Sequence, residues 1–191
     1  LGFRLCHYAI LNDHLHYLVE AKDRRALSRG MQGLLIRVAR ALNKLWGRRG
    51  KVFADRYHDR ILKTPREVRD AIRYVLGTGK KHERDGLETR VGDPVDVFTS
   101  APWFDGFRET IRFRKLEVTE RPVTDSKTWM LTKGWRRHGL LTPLGRGDLC
   151  LQQLQDVRQP RESQLAGLLL LGRLCLGGAR QDLAGVVDRV Q

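Results

Sequence analysis

Cysteine is scarce in this chain. Cys6, Cys150 and Cys175 stand far apart and form no C-x-x-C pair, so neither a disulfide framework nor a cysteine zinc site is expected. A reducing, cytoplasmic setting is the expectation that follows. Long apolar runs are also missing. The nearest, residues 165–179, is interrupted by Arg173 and falls short of the roughly 18 residues that cross a bilayer. No charged segment followed by an apolar one marks a secretory signal. The chain opens at Leu1 in a strand-like stretch and reads as a fragment. Acidic residues are in deficit: the 191 residues hold 36 Lys and Arg against 22 Asp and Glu, a net charge of +14. Hydrophobic residues make up 41% of the chain, enough for a real core, which argues against a wholly disordered chain.

The charge excess is local. Residues 1–82 hold 19 Lys and Arg against 7 Asp and Glu, a net of +12, and residues 83–191 hold 17 against 15, a net of +2. A field concentrated in this way favours a polyanion, and nucleic acid is the common one. Residues 3–11 and 14–20 read as two strands joined by an Asn12-Asp13 turn. Residues 26–46 place Leu27, Met31, Leu34, Leu35, Val38, Leu42 and Leu45 at helical spacing, with Arg29, Arg37, Arg40 and Lys44 opposite. A basic glycine loop follows at 47–51, and 52–62 admits a short strand. Thr64-Pro65-Arg66-Glu67 carries the signature of a capping box with proline at the first helical position, and the helix it opens should stop near Gly77 to Gly79. Residues 83–110 are loop-rich, with an aromatic SAPWFDGF segment (100–107) expected to pack back onto the domain. One short helix, ending at Gly134 or Gly139, is expected within 119–143. From Gly145 onward no periodicity is readable.

The chemistry-bearing pattern is His14-Leu15-His16. On a strand, residues two apart face the same side with Cα atoms roughly 6.5–7 Å apart, so their imidazoles can converge on one divalent cation. Such a cation offsets charge on a phosphate. Phosphoryl transfer also needs a nucleophile, and the first 82 residues offer Tyr8, Tyr17, Tyr57 and Tyr74. By strand alternation Tyr17 faces away from the histidines. Arg48, Arg49, Lys51, Arg56, Arg60, Arg66, Arg69 and Arg73 crowd the stretch between histidines and Tyr74 and are the candidate DNA-phosphate contacts.

HYAILNDHLHYLVEA (7–21), GRRGKVFADRYHDRIL (47–62) and IRYVLGTGKKH (72–82) together resemble the REP-associated branch of the single-tyrosine HUH transposases. The resemblance covers residues 1 to about 143. It implies an α+β fold, a ferredoxin-like antiparallel sheet with helices packed on one face, incomplete at the N-terminus. It implies a catalytic and DNA-binding core at 1–82, a family-like extension at 83–143 and an unassigned tail at 144–191. It puts the nucleophile on Tyr74 and a Mg²⁺ or Mn²⁺ ion on His14 and His16. The third metal ligand falls on Thr78, where the family usually has a carboxamide. The implied substrate is single-stranded or hairpin DNA, nicked and rejoined through a 5′-phosphotyrosine link by a monomer or homodimer. The alternative expectation is a catalytically weakened nucleic-acid-binding module derived from such an enzyme.

Overall fold

The computed structural model describes residues 2–11, 13–77, 98–110 and 120–142, and the backbone of 168–175. Strands β1 (Phe3–Ile10) and β2 (His14–Ala21) form an antiparallel hairpin. The chain reverses between Leu11 and His14, whose backbone groups bond at 2.9 Å. Helix α1 (Arg24–Leu45) follows, then strand β3 (His58–Ile61), helix α2 (Pro65–Gly77) and strand β4 (Leu168–Cys175). The sheet runs β1-β2-β4-β3 with every described neighbour antiparallel. The strand between β2 and β3 therefore comes from the segment in which no element was readable.

Strand β2 is buried on both sides, and each side meets its own helix. Leu18 joins a core with Val68, Ala71, Ile72 and Val75 of α2. Tyr17, Val19 and Ala21 join a second core with Leu27 and Met31 of α1. Successive strand residues point to opposite faces, so the two helices lie on opposite faces of the sheet. The α+β class is as expected. The expected placement of the helices on one face is corrected, because side chains on both faces of β2 are buried, Leu18 under α2 and Tyr17, Val19 and Ala21 under α1.

Local chemistry sets the helix ends. The Asp23 side chain caps α1 by accepting from Ala26 N at 2.7 Å. Gly47, at φ 62, carries the chain away after the last turn. Gly30 lets α1 close on β1: a Cβ there would stand 2.1 Å from Phe3 Cγ. At α2 the capping box is reciprocal. Glu67 N donates to Thr64 Oγ1 at 3.2 Å, and Thr64 N donates to Glu67 Oε2 at 3.1 Å.

Residues 98–110 and 120–142 cover the outer edge of β1. Ile10 N donates to Phe98 O, Ser100 N to Tyr8 O and Thr124 N to Leu5 O, all at 2.9–3.0 Å, so backbone groups of this edge strand are paired. The aromatic segment packs back as expected, with Ala101 in the α2 core and Phe104 and Phe107 against it. The expected short helix is a π-helical turn, Met130–Gly134, continuing into a 3-10 turn, Trp135–His138. It ends at Gly139, φ 88. Among the described residues no helix is long and apolar enough to cross a membrane.

Candidate active site

His14 and His16 lie on the β2 face that receives α2. Both are buried, 7% and 3% exposed. Their Nε2 atoms are 3.0 Å apart, with ring centroids at 4.7 Å and planes nearly perpendicular. Asp13 Oδ1 is bonded to His14 Nδ1 at 2.5 Å. A carboxylate on Nδ1 keeps the proton there, so Nε2 of His14 presents its lone pair.

Tyr74 reaches this pair from α2. Its hydroxyl stands 3.1 Å from His16 Nε2, and the two rings meet edge to face at 4.8 Å. The helix register explains the reach. Val68, Ala71, Ile72, Val75 and Leu76 are buried against the sheet, and half-buried Tyr74 sits at the margin of that stripe, beside the strand end that carries the histidines. All three groups belong to one chain.

The other three tyrosines are on the opposite face. Tyr17 packs in the α1 core, Tyr57 stands 6.5 Å from it, and Tyr8 is directly opposite Tyr17 in register. Burial, with help from Asp59 and Tyr57, pushes the Tyr17 phenol above its ordinary range, and burial alone raises Tyr8. These are packing phenols, and Tyr74 alone of the four tyrosines meets the histidine pair.

The donor set fits a divalent cation. His14 and His16, whose Nε2 atoms converge to 3.0 Å, would hold it, and imidazole nitrogen is a suitable donor for such an ion. Thr78, the expected third ligand, lies outside the described residues. Among the described residues no group of three or more His, Cys, Asp and Glu gathers as a metal site, so the protein donors on hand here are the two imidazoles.

The eight expected phosphate contacts divide. Arg49, Lys51, Arg56 and Arg66 are exposed, while Arg48, Arg60, Arg69 and Arg73 are half-buried. Arg48 lies over the Trp46 ring at 4.8 Å and donates to Asn43 Oδ1. Arg60 pairs with Glu67 at 3.2 Å, and Arg69 Nε donates to Gly139 O at 3.0 Å. Arg60 and Arg69 tie elements of the fold together, while Arg48 braces the end of α1.

Three residues with consequences for the site are not singled out by the sequence. Asp13 reads there only as a turn residue; its place directly before H-x-H was the available signal. Glu20, on the same face as the histidines, is buried at 3% exposure. Its carboxylate accepts from Lys127 N, Thr128 N and Thr128 Oγ1 at 2.6–3.1 Å, which fastens residues 127–128 to β2. His7 is buried on β1. No family model, curated protein or solved structure matches the chain.

Proposed function

We propose that this protein is a metal-dependent, single-stranded-DNA nicking and rejoining enzyme of the HUH tyrosine-transposase kind, acting in DNA transposition or recombination. The observation that carries the reading is the 3.1 Å approach of the Tyr74 hydroxyl to His16, beside a His14–His16 pair whose Nε2 atoms converge. Tyr74 Oη attacks the scissile phosphorus, a P–O bond to tyrosine forms and the P–O3′ bond breaks. The phenol loses its proton and the departing O3′ gains one, so charge balances across the exchange. The product is a 5′-phosphotyrosine link and a free 3′-OH, and the link conserves the phosphodiester for rejoining. His14 and His16 would hold Mg²⁺ or Mn²⁺, which supplies charge neutralisation at the phosphate. Asp13 keeps His14 oriented, and the packing of α2 holds Tyr74 in place.

Further support is the net +12 of residues 1–82, which draws a polyanion to the half of the chain bearing His14, His16 and Tyr74. A cytoplasmic location belongs to the same proposal. The test is incubation with a labelled single-stranded oligonucleotide and Mn²⁺, followed by denaturing electrophoresis. The expected result is a covalent protein–DNA band that Tyr57→Phe keeps and Tyr74→Phe loses. Salt-sensitive binding with no band in the unaltered protein would leave the non-catalytic binding module in its place.

A further inference from the structure

We infer that the outer face of α1 is a docking surface for double-stranded nucleic acid, separate from the site of His14, His16 and Tyr74. The inference goes beyond the reading above and does not need Tyr74 to react. Residues 24–51 contain nine Lys and Arg and no Asp or Glu. Within α1, Arg25, Arg29, Arg37, Arg40 and Lys44 are exposed, and among the described residues none of them forms an ion pair. Leu27 and Met31 are buried in the core shared with β2, and Leu34 and Leu35 pack beside them, so the cations face away from the sheet. Because α1 and α2 cover opposite faces of β2, this surface and the Tyr74 site lie on opposite sides of the sheet.

Gly33 marks the middle of this face. At about 100° per residue, Arg29 and Arg37 stand about 40° to either side of it, and Arg40 and Lys44 about 20° to either side. Glycine weakens a helix interior relative to alanine, so its presence asks for a reason. For Gly30 the reason is internal: Phe3 stands where a Cβ would be. For Gly33 the described residues supply none. The position is exposed, and a Cβ there would meet nothing within 4 Å. Open space at the centre of a cationic face suits an external backbone that approaches closely.

The shape and composition of the face select a duplex. Arg25 to Lys44 spans about 28 Å along the helix axis, the rise of about eight base pairs. An α-helix is about 10–12 Å across and the major groove of B-form DNA about 12 Å wide, so α1 can lie along the groove with its cations reaching phosphates on both rims. Proteins grip single strands by stacking bases on aromatic rings, and α1 contains no aromatic residue. A helix at a membrane surface turns its apolar face to the lipid, and that face of α1 is taken by the sheet. Phosphate contacts carry no sequence information, so the binding is salt-dependent and indifferent to sequence.

The test is fluorescence anisotropy of a labelled blunt-ended DNA duplex, and of an unstructured single strand, against the whole chain over a series of salt concentrations. Arg29→Ala, Arg37→Ala and Arg40→Ala combined should weaken duplex binding roughly tenfold or more and lower its slope of log K against log salt by about 2.7. Arg29→Lys, Arg37→Lys and Arg40→Lys combined should keep both. Single-strand binding, and the covalent band formed with the oligonucleotide and Mn²⁺, should stay as in the unaltered protein. Gly33→Leu should raise the urea midpoint through helix propensity and still weaken duplex binding. No saturable duplex binding, an equal loss on the single strand, duplex binding unchanged in the triple alanine variant or in Gly33→Leu, or tighter binding to phosphatidylserine vesicles than to the duplex would overturn the proposal. Absence of the covalent band from the unaltered protein would sink the catalytic reading and leave the duplex result standing.

Discussion

The Tyr74 hydroxyl stands 3.1 Å from His16 Nε2, although 58 residues of chain separate them. Two packing decisions make that contact. Strand alternation puts His14, His16 and Leu18 on one face of β2, and the apolar stripe of α2 closes on Leu18. Tyr74 is carried into place by the same residues that build the core, so its reach to the histidines is a property of the fold and not of a loose loop.

Asp13 is a positioning residue for His14. Removing a partner of this kind costs 10–100-fold in metal affinity. Asp13→Ala is expected to weaken Mn²⁺ binding by about that factor, measured by calorimetry or by the paramagnetic resonance of free Mn²⁺. Its thermal unfolding should stay close to that of the unaltered protein, because Asp13 is partly exposed and packs in neither core.

Glu20 works differently. Its carboxylate satisfies two backbone N–H groups and one hydroxyl of residues 127–128, and Arg4 lies 3.9 Å from it. Glu20→Ala strips those donors of their acceptor and is expected to cost about 2–4 kcal/mol, read as a lower urea midpoint. The change should loosen residues 127–128 from β2, seen as faster amide exchange there before global unfolding.

The basic residues should separate by exposure. Alanine at Arg49, Lys51, Arg56 or Arg66 should reduce the salt dependence of single-strand binding, each by about 0.7 in the slope of log K against log salt where it meets a phosphate. Alanine at Arg60 or Arg69 should act mainly on stability, because Arg60 braces the α2 capping box through Glu67 and Arg69 ties α2 to Gly139.

His7 makes stability pH-dependent. Its folded-state pKa is lowered to about 4 from an ordinary 6.5, first by burial. The unfolded chain therefore takes up a proton that the folded chain refuses as pH falls below 6.5. The contribution is fully present above that pH, falls through the window and is lost by about pH 4. At 1.36 kcal/mol per unit it amounts to roughly 3 kcal/mol at most. Urea unfolding between pH 7 and 5 should show a steeper loss in the unaltered protein than in His7→Gln.

Much of the fold was legible in the sequence because the signals were local. The two strands, the long amphipathic helix and the Thr64–Glu67 box depend on alternation, periodicity and capping, and each appears within a residue or two of its expected bounds. The face of α1 was not legible, since both faces of β2 are buried and periodicity alone does not assign a helix to one of them. The strand Leu168–Cys175 was also hidden: a continuous leucine-rich run looks the same for a central strand and a buried helix. At the site, the H-x-H pair announced itself by spacing. The Glu20 clamp and the register shift of β1 between Leu5 and His7 are long-range or register effects, and no short window of sequence contains them.

The most direct measurement is the mass of the peptide that carries the DNA. After reaction with single-stranded DNA and Mn²⁺, nuclease trimming and tryptic cleavage beyond Arg73, the peptide Tyr74 to Lys80 should carry a 5′-phosphonucleotide on the tyrosine. The same mass on a peptide containing Tyr8, Tyr17 or Tyr57, with the Tyr74 peptide unmodified, would contradict the account.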